Sequence, residues 1–505
     1  MRLFPMSSGR ARVRLVQAGV AIVAAALIAG CGNAYRPVVT PVNPSGPAAQ
    51  PTSYAVVVSA PAPTTAGIVT IIDYAGDTVM AIAPIGPGPS NFTLDELGAT
   101  GYTLDSDGTL TNFPVTTSLQ AKNVTYSTLS ASAQPVNLMA PSSGLWATDL
   151  NGNVADVFAS SPQLFKLAIS VAPTPITIVG SPTLQGQREY VISQNFIDPT
   201  GVTCNTSPTT APTGVATPIE ISTYSADTPI PLGRCPVFGV QSSDQKRLFV
   251  MNRGDDTITV INSQNNTLDQ CTPFTDPETG RTVTCHPTLP LSTTAVTATH
   301  ITPPNGTSGM RAIAGPVYAE YNSATNQLVV ADYDGGTISM IDVTLDEYGN
   351  DSATFGTTYT IPVGNNPASV TVLADGSRAY TANQADGTVT IANLTSHTVE
   401  KTLTVVGHPR TVVSTENSLF GKVYVASPDS PYLTILATLT DLVDTTILVE
   451  GNIVDVRVST QNGSSGNNNT ATRSAGLGQP CNLPPALMVS TYGASYSLKQ
   501  CRAIP

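Results

Sequence analysis

The sequence predicts an all-β fold of repeated four-stranded units, and three observations predict it. One pattern is written twice between Val363 and Glu450, and each copy holds four short runs rich in β-branched residues. Such runs prefer extended chain, and the Gly, Asn, Asp and Pro residues that separate them supply turns. The two copies are about 44 residues apart, which is the spacing of propeller blades. Charged residues are only 11% of the 505 residues, as expected of an all-β protein with a weakly charged surface.

The same unit recurs outside that stretch. Four fifteen-residue segments superpose without gaps: Leu248–Asn262, Leu328–Asp342, Ala379–Asn393 and Val423–Ala437. In each, four apolar or Thr positions precede an Asn, Asp or Ser at position five, a polar turn follows, and a strand resumes at position ten. A tight polar turn between two strands of period two is a hairpin. Over Cys235–Thr460 the pattern resembles the YVTN family of bacterial β-propeller repeats, and the resemblance implies a shared architecture without shared catalytic residues.

The repeat predicts a β-propeller of four-stranded antiparallel blades, eight or seven in number, over residues 53–460. After the first blade, further blades start near Ser90, Pro135, Pro175, Cys235, Pro316, Pro367 and Pro409. The first blade lacks its first strand, and Asn452–Thr460 matches a first strand with no blade after it. We therefore expect the C-terminal strand to complete the N-terminal blade, because closure removes exposed sheet edges. The alternative, a pair of β-sandwiches, would not require the regular period.

Six cysteines besides Cys31 predict three disulfides, each closing an irregular segment. Six cysteines allow fifteen pairings, and proximity in sequence favours Cys204–Cys235, Cys271–Cys285 and Cys481–Cys501. The first two close the insertions at 197–217 and 268–315, which we expect to be loops. Each disulfide would add roughly 3 kcal/mol and requires an oxidising compartment. A metal site is the competing interpretation, but the sequence has no Cys-x-x-Cys pair.

Residues 1–30 have the pattern of an export signal. A basic segment is followed by the apolar run Leu15–Ile28, which is short for a membrane span. Ile28–Cys31 resembles the bacterial lipobox, which implies cleavage before Cys31 and attachment of a lipid such as palmitate to its thiol. An uncleaved signal anchor is the alternative. Residues 31–52 predict a disordered Pro-rich tether, and residues 461–505 predict a Gly/Ser/Asn linker followed by a disulfide-closed hairpin.

Charge limits the partners. Cleavage removes four Arg, which leaves 22 − 4 = 18 basic and 34 acidic residues, a net charge of −16. An acidic chain argues against nucleic acid and anionic lipid as partners. We expect a monomer held in the cell envelope by its lipid, on the periplasmic side or the cell surface. Gly32 lacks the aspartate that retains some lipoproteins at the inner membrane, so this resemblance favours the outer membrane.

The candidate binding residues are chosen by position. In a propeller, the turn between strands two and three and the link into the next blade lie on one face, around the channel mouth. That face would carry Asn252, Arg253, Asp255, Asp332, Tyr333, Asp334, Asn366, Asn383, Asp386, His408 and Arg410. Such a rim suits a cation, a sugar or a peptide terminus. The alternative is that Asn and Asp are simply what hairpin turns require. Asp105–Gly108 resembles the start of a calcium loop, but no glutamate closes it at the right distance, so it is interpreted as such a turn.

Two functions follow. The first is a membrane-anchored, extracytoplasmic binding or scaffolding module for a protein, peptide or carbohydrate, with no catalytic residue, metal or cofactor. The alternative is a propeller enzyme of lactonase or cofactor-dependent dehydrogenase type. A lactonase needs three or four convergent metal ligands deep in the channel. The innermost strands offer mainly Thr, Ser and Val, with Asp455 and Arg457 as exceptions, so the sequence favours the binding module.

Overall fold

The structure is a computed structural model of the chain. It describes residues 53–460 except 63, 96, 130–131, 142–143, 160–163, 181–187, 196–203, 205–210, 277–279, 292–313 and 416. The predicted signal peptide, the lipidation site at Cys31, the tether, the C-terminal hairpin and the pairing of Cys481 with Cys501 all lie outside the described residues.

Eight sheets form the blades of a β-propeller, and their strands are numbered β1–β36 along the chain. From the channel outwards, blade 1 comprises Asn452–Thr460 (β36), Ser53–Ala60 (β1), Ala66–Asp73 (β2) and Val79–Pro87 (β3). Blade 2 comprises Asn91–Leu94 (β4), Thr100–Leu104 (β5), Thr109–Pro114 (β6) and Thr125–Thr128 (β7), with a 3-10 helix at Ala121–Asn123. Blade 3 comprises Pro135–Met139 (β8), Leu145–Asp149 (β9), Val154–Phe158 (β10) and Phe165–Ser170 (β11). Blade 4 comprises Pro175–Gly180 (β12), Arg188–Ser193 (β13), Thr213–Glu220 (β14), Ser225–Ala226 (β15) and Ile230–Arg234 (β16).

The second half of the ring follows the same order. Blade 5 comprises Pro236–Gln241 (β17), Arg247–Asn252 (β18), Thr257–Asn262 (β19), Thr267–Leu268 (β20) and Thr288–Pro290 (β23). A small hairpin, Phe274–Thr275 (β21) and Thr282–Val283 (β22), lies between its last strands. Blade 6 comprises Pro316–Asn322 (β24), Gln327–Asp332 (β25), Thr337–Asp342 (β26) and Thr358–Pro362 (β27). Blade 7 comprises Pro367–Val372 (β28), Arg378–Asn383 (β29), Thr388–Asn393 (β30) and Thr398–Thr404 (β31). Blade 8 comprises Thr411–Ser414 (β32), Lys422–Ala426 (β33), Tyr432–Ala437 (β34) and Leu442–Leu448 (β35).

The burial pattern explains why the inner strands are continuous apolar runs. Val56, Val57 and Val58 in β1 are all fully buried, because neighbouring blades cover both faces of each sheet. The outermost strands have one open face. In β31 exposed and partly buried side chains alternate from Glu400 to Thr404, as expected of a strand covered on one side. Alternation with a period of two is therefore found in the outermost strands of the blades.

Closure of the ring is confirmed. Strand β36 pairs antiparallel with β1, from Ser53 opposite Thr460 to Ala60 opposite Asn452. The innermost strands of consecutive blades lie side by side around the ring, and β36 lies between β32 and β4. The prediction left eight and seven blades open, and the structure has eight.

Polar side chains on the innermost strands satisfy the backbone of the next blade. Asn91 accepts the N–H of Leu138 at 3.2 Å, and Asn137 accepts that of Ile178 at 3.2 Å. In the same way the hydroxyl of Ser369 accepts a backbone N–H of blade 8 at 3.0 Å. The inner edge of each blade has no further strand to pair with, so these contacts replace part of a sheet ladder.

Two of the three predicted disulfides lie within the described residues, and both are formed. Cys204 bonds Cys235 and Cys271 bonds Cys285, with Cα atoms 5.4 and 5.5 Å apart. Their presence is consistent with an extracytoplasmic protein. Among the described residues, no helix has the length and apolar character needed to cross a lipid bilayer.

The two insertions contain more strand than predicted. The loop prediction for 197–217 is wrong for its last residues, because β14 begins at Thr213 and pairs with β13. In the second insertion, β23 pairs with β19, and β21 pairs with β22. Short Thr- and Val-containing segments form these pairs, because an adjacent strand edge supplies hydrogen-bond partners that the local sequence does not reveal.

Candidate functional site

Turns and links of the second half of the ring meet on one face. The turn between strands two and three of blade 5 holds Asp255, which accepts the backbone N–H of Arg234 at 2.5 Å. Asp386 in blade 7 accepts the N–H of Asn365 at 2.6 Å, and its other oxygen accepts the Asn365 side chain at 2.8 Å. Each carboxylate is therefore fixed by the link that leads into its own blade.

Blade 8 repeats this arrangement with a histidine. Asp429 accepts the backbone N–H of His408 at 2.8 Å and shares a second hydrogen bond with its Nδ1 at 2.5 Å. The His408 side chain is 50% exposed. In blade 6 the corresponding carboxylate is Asp334, which lies against the link at Gly315. A Cβ there would lie 2.0 Å from an Asp334 oxygen, so only glycine fits. We call Asp255, Asp334, Asp386, Asp429 and their partners Arg234, Arg253, Asn365 and His408 the turn rim.

Blades 5 and 6 are joined across this face by a bidentate ion pair. The buried Arg253 donates from Nε and Nη2 to the two oxygens of Asp334, at 2.8 and 2.9 Å. Its guanidinium lies 5.4 Å from the centre of the Tyr333 ring, and Tyr333 is fully buried. Asn366 donates to the Tyr333 carbonyl at 3.2 Å. Four of the predicted ligand-binding residues thus hold neighbouring blades together: Arg253, Tyr333, Asp334 and Asn366.

Arg410 is separated from its sequence neighbour His408. Arg410 is 1% exposed, and its Nη2 donates to the carbonyl of Val454 in β36 at 2.6 Å. It therefore ties blade 8 to the closing strand of blade 1. Because its guanidinium is buried in this contact, His408 is the more accessible of the two side chains.

Three candidates at position five of the repeat lie inside the blades. Asn252 donates to the hydroxyls of Thr257 and Thr259 at 3.2 and 2.8 Å. Asn383 and Asp332 contact the equivalent hydroxyls of their own blades. All three are fully buried, so they stabilise hairpins and do not reach a ligand. Burial raises the pKa of Asp332 to about 7, although bonds from Ser339 and Thr337 oppose the shift.

The structure also assembles a buried charge cluster that the sequence did not predict. Arg247 Nη2 lies 3.2 Å from Asp269 and 3.1 Å from Asp351. His286 Nδ1 lies 2.7 Å from the other Asp351 oxygen. Burial raises the pKa of Asp269 to about 6, while Arg247 opposes the shift. The cluster anchors the insertion closed by Cys271–Cys285 on blade 6, and its members come from four segments with no shared spacing.

A cleft of about 640 Å³ opens at the outer edge between blades 4 and 5, on the face opposite the turn rim. It is lined by Asp227, Thr228, Pro229, Ile230, Pro231, Asn265, Asn266, Thr267, Leu268 and Gln270. Asn266 donates to Asp227 at 2.7 Å across it. The volume is that of a small-molecule site, but the cleft has no aromatic residue in its lining.

Within the part of the chain that the structure describes, no three His, Cys, Asp or Glu side chains converge as they would around a metal ion. Asp455 and Arg457, the charged residues of the innermost closing strand, pair with each other at 2.5 Å. The described residues therefore do not supply the group of metal ligands that the lactonase alternative requires.

Comparison with known proteins supports the fold. No model of a protein family matches the sequence, and no curated protein matches it. Apo AztD from Citrobacter koseri is similar in structure with a TM-score of 0.53, 12% identity, and coverage of 82% of this chain and 99% of that chain. A second structure of Citrobacter koseri AztD has a TM-score of 0.53 and 12% identity, covering 80% and 97%. Dihydro-heme d1 dehydrogenase NirN in complex with DHE has a TM-score of 0.49 and 14% identity, covering 83% and 78%. At 12% identity, the similarity to AztD shows a propeller fold alone.

Proposed function

We propose that the protein is an exported YVTN-type β-propeller, anchored by a lipid on Cys31, that binds a peptide or carbohydrate on the turn rim without catalysing a reaction. One observation supports the binding role above all: blades 5, 7 and 8 each place a turn carboxylate against the backbone N–H of a link on the same face, and blade 6 adds Asp334, which Arg253 of blade 5 holds there. A periodic row of this kind matches a ligand that extends over several blades.

The rim is preorganised. Arg253 holds Asp334, the link backbone holds Asp255 and Asp386, and His408 is held by Asp429. Side chains that are already ordered lose little entropy when a ligand binds. Carboxylates with cationic or amide neighbours suit a ligand that both donates and accepts hydrogen bonds, as peptides and sugars do.

The binding role is tested by affinity capture. Non-lipidated protein (residues 32–505) is immobilised and exposed to envelope extract of the source cells, and each captured component is quantified. The triple variant Asp255→Ala/Asp386→Ala/His408→Ala should recover the ligand at least tenfold less than the wild type. It avoids Arg253 and Arg410, which hold blades together. Circular dichroism and thermal unfolding confirm that the variant is folded.

The control is Asp227→Ala/Asn266→Ala in the cleft, which should leave recovery unchanged. Equal recovery by all three proteins, or loss only in the cleft variant, contradicts binding at the turn rim. The lipid anchor is tested separately by Cys31→Ser in the full-length protein. This variant should lose incorporation of labelled palmitate and leave the membrane fraction; membrane retention would contradict the anchor.

A further inference from the structure

Blade 8 exposes an apolar surface on the face opposite the turn rim. Its loop between β32 and β33 carries Leu419 and Phe420, which are 57% and 76% exposed. Its turn between β34 and β35 carries Leu439, which is 64% exposed, and β35 begins with the exposed Leu442 and Val443. We call these five residues the blade-8 patch. A cluster of exposed apolar side chains of this kind indicates a contact surface.

Neighbouring blade 7 shows that the fold does not require the patch. Its first two strands are joined by residues 373–377, whereas those of blade 8 are joined by the longer 415–421. The extra length in blade 8 accompanies Leu419 and Phe420. In the corresponding turn of blade 7, Leu394 is buried and polar residues follow it. Blade 7 therefore lacks the apolar surface that blade 8 carries.

The patch is held in place by hydrogen bonds to its surroundings. Thr438 accepts the N–H of Gly421 at 2.9 Å, which joins the loop to the turn beside it. The hydroxyl of Tyr74 in blade 1 donates to the carbonyl of Phe420 at 2.7 Å. A fixed apolar surface loses little conformational entropy when it is covered.

The C-terminal segment leaves the propeller at this same place. Thr460 at the end of β36 pairs with Ser53. The carbonyl of Ser53 accepts the N–H of Tyr74 at 3.3 Å, and Tyr74 in turn contacts Phe420. Residues 461–505 therefore begin next to the patch.

That segment has side chains that suit the patch. Residues 481–505 include Leu483, Leu487, Met488, Val489, Tyr492, Tyr496 and Leu498. A stretch of this length cannot bury such side chains in a core of its own. Residues 461–480 precede it, and a random chain of that length spans about 25 Å, whereas a fully extended one spans roughly 65–70 Å. The segment can therefore reach blade 8, and tethering raises its local concentration to the millimolar range.

Charge favours the same contact. Residues 53–460 contain 34 acidic and 14 basic residues, a net charge of −20. Residues 461–505 contain Arg473, Lys499 and Arg502 and no acidic residue. Asp444 is exposed beside Val443 in the patch, and Lys401 lies at its edge, where it donates to the carbonyl of Thr440 at 3.3 Å. The attraction therefore comes from the net charge of the whole body. A basic apolar segment next to an acidic body is drawn to it by both charge and apolar burial.

We propose that residues 481–505 dock on the blade-8 patch and cover the seam at which β36 closes the ring. The occupant is this chain's own C-terminal segment. A lipid surface and a second copy of the chain are the competing occupants, and the experiments below separate them. The inference does not depend on the ligand of the turn rim.

The first experiment is photo-crosslinking in the complete non-lipidated protein, residues 32–505. Benzoylphenylalanine replaces Phe420, and in a control protein it replaces Phe274, which is 45% exposed on β21. After irradiation of dilute protein and proteolysis, mass spectrometry should find position 420 joined to a peptide from 481–505 within one molecule, and position 274 not joined to it. Crosslinks between two molecules, crosslinks only to lipid when vesicles are added, or no crosslink to 481–505 each overturn the proposal.

The second experiment measures hydrogen exchange of residues 481–505 in the full chain. The variant Phe420→Ser/Leu439→Ser should raise their exchange rates by at least fivefold, while Phe274→Ser leaves them unchanged. Both variants change exposed side chains, so the propeller's own amides should keep their protection and report that it is folded. Equal exchange of 481–505 in all proteins overturns the proposal.

Discussion

Blade 6 differs from blades 5 and 7 at one buried position. Asp332 accepts hydrogen bonds from the hydroxyls of Thr337 and Ser339 at 3.0 and 2.7 Å. In blade 7, Asn383 donates to the hydroxyls of Thr388 and Thr390 at 3.1 and 2.8 Å. A hydroxyl can donate or accept, so one hairpin geometry takes either an acid or an amide. The hairpin is the same in both blades, but only blade 6 has acquired a titratable group.

The presence of Asp332 in blade 6 predicts the direction in which stability changes with pH. Burial raises the pKa of Asp332 to about 7, whereas an aspartate in the unfolded chain has a pKa of about 3.9. Between these values the folded protein holds a proton that the unfolded chain has lost. The stability that this group contributes is therefore fully present below pH 4 and is lost as pH rises through 7. Asp105 in blade 2 also has its pKa raised to about 7 by burial, opposed by bonds from Thr111, Thr103 and Thr109.

The largest change in stability should come from exchanging the buried acid and the buried amide between blades 6 and 7. Asp332→Asn should raise the free energy of unfolding at pH 8 by up to roughly 4 kcal/mol and change it little at pH 4. Urea denaturation from pH 4 to 8 measures both. The reciprocal variant Asn383→Asp should destabilise blade 7 at pH 8 and not at pH 4. If both variants keep the pH dependence of the wild type, the comparison between the blades is wrong.

Removing the Asn383 side chain altogether should have a smaller effect on stability. Asn383→Ala leaves the hydroxyls of Thr388 and Thr390 without this donor and opens a small cavity, so unfolding should become easier by about 2–3 kcal/mol. Because no charge is removed, the loss should be equal at pH 5 and pH 8. The control Asn265→Ala changes an exposed side chain and should stay within about 0.5 kcal/mol of the wild type. A loss that varies with pH would show that the amide is not the neutral counterpart of Asp332.

The smallest effect concerns the turn rim. Asp386→Ala removes the acceptor for Asn365 at an exposed position, so it should lower the free energy of unfolding by about 1 kcal/mol. Thermal unfolding measures it, with the exposed Glu347→Ala as the matched control. A loss above about 3 kcal/mol would mean that the rim carboxylates are as structural as Asn383, which would weaken the binding proposal.

The fold was largely predictable because it depends on local patterns. Runs of β-branched residues and their turns located the blades, and the unmatched segments at Tyr54 and Asn452 predicted how the ring closes. Proximity in the sequence was enough to predict the disulfide between Cys271 and Cys285. The site was less predictable, because a turn motif does not say which side chain points into the blade. Asn252 and Asp255 occur in one turn, yet the first is buried and the second is exposed.

The sequence by itself determined a β-propeller closed by its own C-terminal strand, because strand and turn preferences act between residues close in the chain. Only the tertiary structure decided that there are eight blades, that Arg253 pairs with Asp334, and that Arg247 lies between Asp269 and Asp351. These features depend on contacts between blades and their insertions, which involve residues far apart in sequence. The raised pKa of Asp332 belongs with them, because desolvation is set by everything that packs around the carboxyl and not by the turn that carries it.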